Sequence, residues 1–126
     1  MARTILFADD DPLIRQLYQS HIERAGYSWV GAVNGREAIA VAEREKPSLA
    51  IIDILMPEMD GLEVLQEFEK AQMGIPVILI SAEQTYYAHR CHLRGFGASL
   101  FLTKPFGPQQ LLDAIRRLLR NAAAVP

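Results

Sequence analysis

An α/β fold is predicted for this chain, with a doubly wound, five-stranded parallel sheet and five helices, and two observations predict it. Five short runs rich in apolar, β-branched or aromatic residues recur along the sequence, separated by stretches with helical spacing. Three of these runs are apolar almost without interruption, the pattern of strands that helices cover on both faces.

The elements follow in order. TILFA at 4–8 reads as the first strand, and Ile14, Leu17, Tyr18 and Ala25 are spaced for one face of a first helix. SWVGA at 28–32 is the second strand, where Trp29 gives partial cover to the sheet. LAIID at 49–53 is the third, followed by a helical face of Val64, Leu65, Phe68 and Ala71. PVILI at 76–80 and SLFLT at 99–103 complete the set, with a poorly patterned stretch from Glu83 to Phe96 between them. Leu111, Leu112, Ile115, Leu118 and Leu119 mark an amphipathic closing helix, with Arg116, Arg117 and Arg120 toward its other face. Gly26, Gly35, Pro47, Gly74 and Gly107 punctuate the pattern near helix ends. Right-handed crossovers then give a flavodoxin-like sheet in the order 2-1-3-4-5. Residues 1–121 make one domain, and 122–126 form a short tail with too little apolar bulk to anchor itself.

Composition narrows the function. Thirteen Lys and Arg against fifteen Asp and Glu give a formal net charge of −2, so no overall basic field exists to hold nucleic acid or an anionic membrane. Cys91 is the only cysteine, which excludes an internal disulfide and, with no paired Cys/His spacing, a structural zinc. No apolar stretch is long enough for a membrane, and the acidic start is unlike a signal peptide. A soluble protein of the reducing cytoplasm is expected.

In such sheets ligands sit beyond the carboxyl ends of the strands. There the first strand offers Asp9, Asp10 and Asp11, the third Asp53, the fourth Ser81, and the fifth Thr103, Lys104 and Pro105. Asp11 followed by Pro12 reads as a helix cap. Two carboxylates about 4 Å apart repel by roughly 4 kcal/mol at an effective dielectric near 20, so Asp9, Asp10 and Asp53 need a counter-charge. Lys104 and a divalent cation supply it. All-oxygen ligands with room for water suit magnesium, which favours sites completed by phosphate oxygens. A carboxylate is also a competent nucleophile toward phosphorus, and Asp53 is best placed for that role. Lys104 offers a point charge to a phosphoryl oxygen, and Ser81 a short hydroxyl to another.

Four blocks carry a family resemblance: ILFADDDP at 5–12, IIDILMPEMDG at 51–61, VILISA at 77–82 and LFLTKPF at 100–106. In order and spacing they resemble the receiver domain of two-component response regulators, the group that includes the chemotaxis regulator. The resemblance implies that Asp53 takes a phosphoryl group from a phosphohistidine on a sensor histidine kinase or histidine phosphotransfer protein. It implies magnesium held by Asp10 and Asp53 side chains and the Leu55 carbonyl, with Asp9 acting mainly through water. Ser81 and Lys104 would contact the phosphoryl group, and Phe101 would be the aromatic switch that turns inward as Ser81 moves. A cis bond before Pro105 would aim Lys104, and Gly61 would relax the turn into the third helix. The surface of the fourth helix, fifth strand and fifth helix would change and select a downstream protein target. The chain is expected to act as a monomer or weak homodimer, and to perform only self-phosphorylation and slow autodephosphorylation.

The same residues show departures from the family pattern and bear on rival functions. One residue more than the usual spacing separates Ser81 from Lys104, so the fourth helix is expected to be shifted or irregular. Its Tyr86, Tyr87, His89, Arg90, His92 and Arg94 suit a partner surface. His89 and His92 lack a third ligand and read as surface residues, and His21 reads as a helix-edge residue. Phe101 lacks a tyrosine's hydroxyl, which should ease its inward state. Leu55 and Glu83 are expected to border the phosphoryl group and tune its lifetime. A phosphatase of the haloacid dehalogenase type would place its nucleophile after the first strand in an Asp-x-Asp pattern. A flavodoxin would need a Ser/Thr/Gly-rich phosphate loop there, and a phosphate-independent receiver would not need the intact acidic set.

Overall fold

In a computed structural model, residues 3–82 and 100–124 are described, with side chains up to residue 120. Five parallel strands, β1 (Thr4–Ala8), β2 (Ser28–Ala32), β3 (Leu49–Asp53), β4 (Val77–Ala82) and β5 (Leu100–Lys104), form one sheet in the order β2-β1-β3-β4-β5. This is the predicted order. Helices α1 (Pro12–Arg24), α2 (Gly35–Glu45) and α3 (Gly61–Lys70) precede the closing helix, here α4 (Pro108–Ala124). These are the four helices among the described residues; the stretch expected to hold the other one, 83–96, lies outside them.

Strand periodicity explains the two cores. Ile5 and Phe7, Leu49 and Ile51, and Ile78 and Ile80 pack with Tyr18 and Ile22 of α1 and Leu111 and Ile115 of α4. The alternate residues Leu6, Ala8, Ala50, Ile52 and Leu79 pack with Ala38 and Val41 of α2 and Val64 and Phe68 of α3. Both strand faces are therefore apolar, the cause of the unbroken runs. Each fully buried Ile or Leu contributes about 1.5–3 kcal/mol relative to leaving it exposed.

Caps fix where helices begin at the functional end of the sheet. Asp11 accepts from Leu13 N at 2.9 Å, as predicted, and Asn34 accepts from Glu37 N at 2.8 Å. Asp60 and Glu63 form a reciprocal capping box at α3.

The helical faces need two corrections. Leu17 is 48% exposed, and Ala71 is an exposed C-cap, because each lies at the margin of a narrower buried stripe. The sheet itself runs further than the apolar pattern. β4 and β5 start one residue later than predicted and remain paired through Ser81↔Thr103 and Ala82↔Lys104. Backbone hydrogen bonding does not stop where apolar side chains do, so Ser81 and Lys104 are strand residues.

Candidate functional site

The acidic cluster is a product of strand register. Ala8 pairs with Ile52, so Asp9 and Asp53 come one step later at the same level of adjacent strands. The two-residue period puts Asp9 in line with Ile5 and Phe7, and Asp53 in line with Leu49 and Ile51, so the carboxylates share a side. Both are buried, as is Ser81, one step beyond the Asp53↔Ile80 pair.

One lysine answers both acids. Lys104, at the end of β5, places Nζ 3.1 Å from Asp53 Oδ2 and 3.2 Å from Asp9 Oδ2. The other carboxylate oxygens take backbone donors: Leu55 N–H donates to Asp53 Oδ1 at 3.2 Å, and Asp11 N–H to Asp9 Oδ1 at 2.9 Å. Burial, with the nearby Asp9 charge, pushes Asp53 up to about 6, against the opposing pull of Lys104 and the Leu55 N–H. Burial alone would lower the Lys104 ammonium, but Asp53 and Asp9 outweigh it and hold its pKa above the ordinary value.

A cation would fit the remaining charge. Asp9, Asp10 and Asp53 each offer one carboxylate oxygen, all within 4.8 Å of one another, the one such group among the described residues. Asp10 faces solvent while Asp9 and Asp53 are buried, so hard oxygen donors line one side and water can complete the other. Nothing in the donor set is soft enough to select zinc or copper.

The other expected residues divide. Ser81 Oγ donates to the Ala82 carbonyl at 3.3 Å. Phe101 pairs with Leu79 across the ladder and is half-buried against the α2–α3 side of the sheet. Leu55 is 50% exposed at the rim. The Lys104–Pro105 peptide is cis, as the resemblance implied. Gly61 is present for a different reason than predicted: a Cβ there would meet Asp53 O at 2.5 Å and Ile54 Cα at 2.8 Å. Close approach, and no special turn conformation, requires the glycine. Glu83, Tyr86, Tyr87, His89, Arg90, Cys91, His92 and Arg94 lie outside the described residues.

Two supporting residues escaped the sequence reading. A guanidinium N–H of Arg15 donates to the Asp9 carbonyl at 2.6 Å, and Tyr18 Oη donates to the Phe106 carbonyl at 2.7 Å. Arg15 stands one helical turn after the cap Asp11, a spacing that could have placed it above the strand end. Two cavities of about 570 Å³ lie elsewhere, one beside Arg3 and Tyr27, the other beside Lys46 and Met73, and neither includes Asp53.

The response regulator receiver domain family matches residues 5–116 of this sequence. The chain belongs to that family. A receiver domain protein from Methanospirillum hungatei, described as CheY-like, superposes with a TM-score of 0.90 at 29% identity, covering 96% of each chain. The alkaline phosphatase synthesis transcriptional regulatory protein PhoP of Bacillus subtilis is 33% identical over 97% of this chain and 50% of its own length. The DNA-binding dual master transcriptional regulator RpaA of Synechocystis is 35% identical over 97% of this chain and 51% of its own. This receiver thus spans about half the length of the curated relatives it matches. The expectation of no nucleic-acid contact rested on this chain's charge alone, and one relative is named as DNA-binding. Among the described residues, no helix is long and apolar enough to cross a membrane.

Proposed function

We propose that this receiver is a phosphoacceptor switch in which Asp53 takes the phosphoryl group from a phosphohistidine. The observation that carries the reading is the shared lysine, 3.1 Å from Asp53 and 3.2 Å from Asp9. Only one of the clustered acids combines burial, a backbone donor and that lysine with a position between the strands that supply Asp9 and Ser81.

An Asp53 carboxylate oxygen attacks phosphorus as the phosphorus–nitrogen bond of the donor breaks, its electron pair leaving on the imidazole nitrogen. Asp9, Asp10 and Asp53 would hold magnesium, with the Leu55 carbonyl as a further donor. When bound, that ion neutralises charge on the transferring group. Lys104 balances a phosphoryl oxygen by exchanging its carboxylate partner for it, and the Ser81 hydroxyl reaches another. Leu55, half-exposed at the rim, limits the approach of water and so tunes the lifetime of the acyl phosphate.

The change at Ser81 is passed to Phe101 on the neighbouring strand, and from there to the surface of the fourth predicted helix, β5 and the closing helix. Partners of this region are a sensor histidine kinase or histidine phosphotransfer protein and a downstream protein target. The domain turns over no other substrate, works in the cytoplasm and acts as a monomer or weak homodimer. Incubation with acetyl phosphate and magnesium, followed by intact mass, should add one phosphate to the wild type and none to Asp53→Ala. Equal phosphate uptake by both proteins ends the reading.

A further inference from the structure

We infer that Tyr18 is a positioning residue for Lys104: its hydroxyl, donated to the Phe106 carbonyl, clamps the segment that follows β5 against α1. The inference deepens the proposed phosphoacceptor reading and rests on it. Among the described residues β5 is an edge strand, paired with β4 alone, so no further strand there fixes the end that carries Lys104. The sheet leaves that job to something else.

Helix α1 does it. The Tyr18 hydroxyl lies 2.7 Å from the Phe106 carbonyl, in a buried contact between residues far apart in the chain. Its ring stacks on Phe7 at 5.6 Å and on Phe106 at 5.1 Å, which fixes the hydroxyl's direction. Burial raises the phenol's pKa, so the group stays a donor at neutral pH. A phenylalanine would keep both stacks and lose only the bond, so the hydroxyl is not explained by packing. Three residues earlier on the same helix, Arg15 donates to the Asp9 carbonyl at 2.6 Å. Positions i and i+3 share a helix face, so one turn of α1 grips the acidic half of the site and the lysine half together. Lys104 is two residues from the clamped carbonyl.

A double-mutant cycle on the full chain tests this. With acetyl phosphate and magnesium, Tyr18→Phe should slow phosphate uptake by about tenfold, since small displacements of a charged group are costly to transfer. In a Lys104→Met background the same change should leave the rate unaltered, while Tm falls equally in both backgrounds. A merely structural tyrosine would slow both backgrounds by the same factor, and that result overturns the inference. Carboxyl ¹³C resonances of Asp9 and Asp53 in metal-free protein provide the second readout. Tyr18→Phe should shift them in the direction Lys104→Met does. Unmoved resonances overturn the positioning role even if the wild type takes no phosphate, an outcome that would remove the proposed function separately.

Discussion

Gly61 opens α3 directly against the backbone of Asp53, so that a single added methyl would come within 2.5 Å of the Asp53 carbonyl oxygen. The contact is with backbone, which cannot rotate away, and Ile54 Cα lies 2.8 Å on from the same point. Gly61→Ala should therefore destabilise the fold by about 1–3 kcal/mol and displace Asp53. Gly107, with nothing within 4 Å of its added Cβ, is the control: its alanine variant should stay within about 0.5 kcal/mol of wild type. Urea midpoints of the two variants check this, and equal midpoints would show that the α3 turn yields freely.

Lys104 joins two buried carboxylates, so its removal leaves like charges facing each other without compensation. Lys104→Met keeps most of the stem and loses two charge-assisted bonds. In EDTA at pH 7 it should lower stability by about 1.5–3 kcal/mol, the usual worth of such bonds. Magnesium should recover part of that loss, because a dication answers the same repulsion. A variant as stable as wild type in EDTA would mean the acids do not depend on the lysine.

The sequence made the fold and the acidic rim readable because both follow from period. Two-sided apolar runs announce parallel central strands, and carboxylates directly after them have to share an edge. What stayed hidden depends on chain segments distant in sequence. Tyr18 counted as one more apolar position of α1, and nothing in its spacing points to a carbonyl at residue 106. Gly61 was legible as a helix-opening glycine, but its reason, the proximity of Asp53 O, exists only after β3 and α3 have packed. The reach of β4 and β5 past their apolar residues was missed for a related cause, since ladder bonds are blind to side chain.

Asp10 is the exposed member of the acidic trio and makes no hydrogen bond or ion pair among the described residues. Removing its charge should cost the metal-free fold almost nothing. Its effect should appear only with the ion: wild type at a magnesium concentration 100-fold above Kd gains about 2.7 kcal/mol, and Asp10→Asn gains much less. Thermal melts with and without magnesium measure both numbers. Equal magnesium-induced shifts in Tm would place the ion elsewhere.

The Asp53 carboxyl gives the metal-free domain a pH dependence opposite to that of most paired acids. Its pKa rises from the ordinary carboxylate value near 3.8 to about 6 on folding, through burial first and Asp9 second. The folded state therefore binds this proton more tightly than the unfolded chain does. Stability from the group is full below about pH 4 and is lost as pH climbs through about 6, by roughly 2–3 kcal/mol at one unit per 1.36 kcal/mol. Asp53→Asn carries no such proton, so its stability relative to wild type in EDTA should grow between pH 4 and 7 and then level off. Magnesium competes with the proton and should flatten the difference. A constant gap between the two proteins across that range would mean that Lys104 already compensates Asp53 in full.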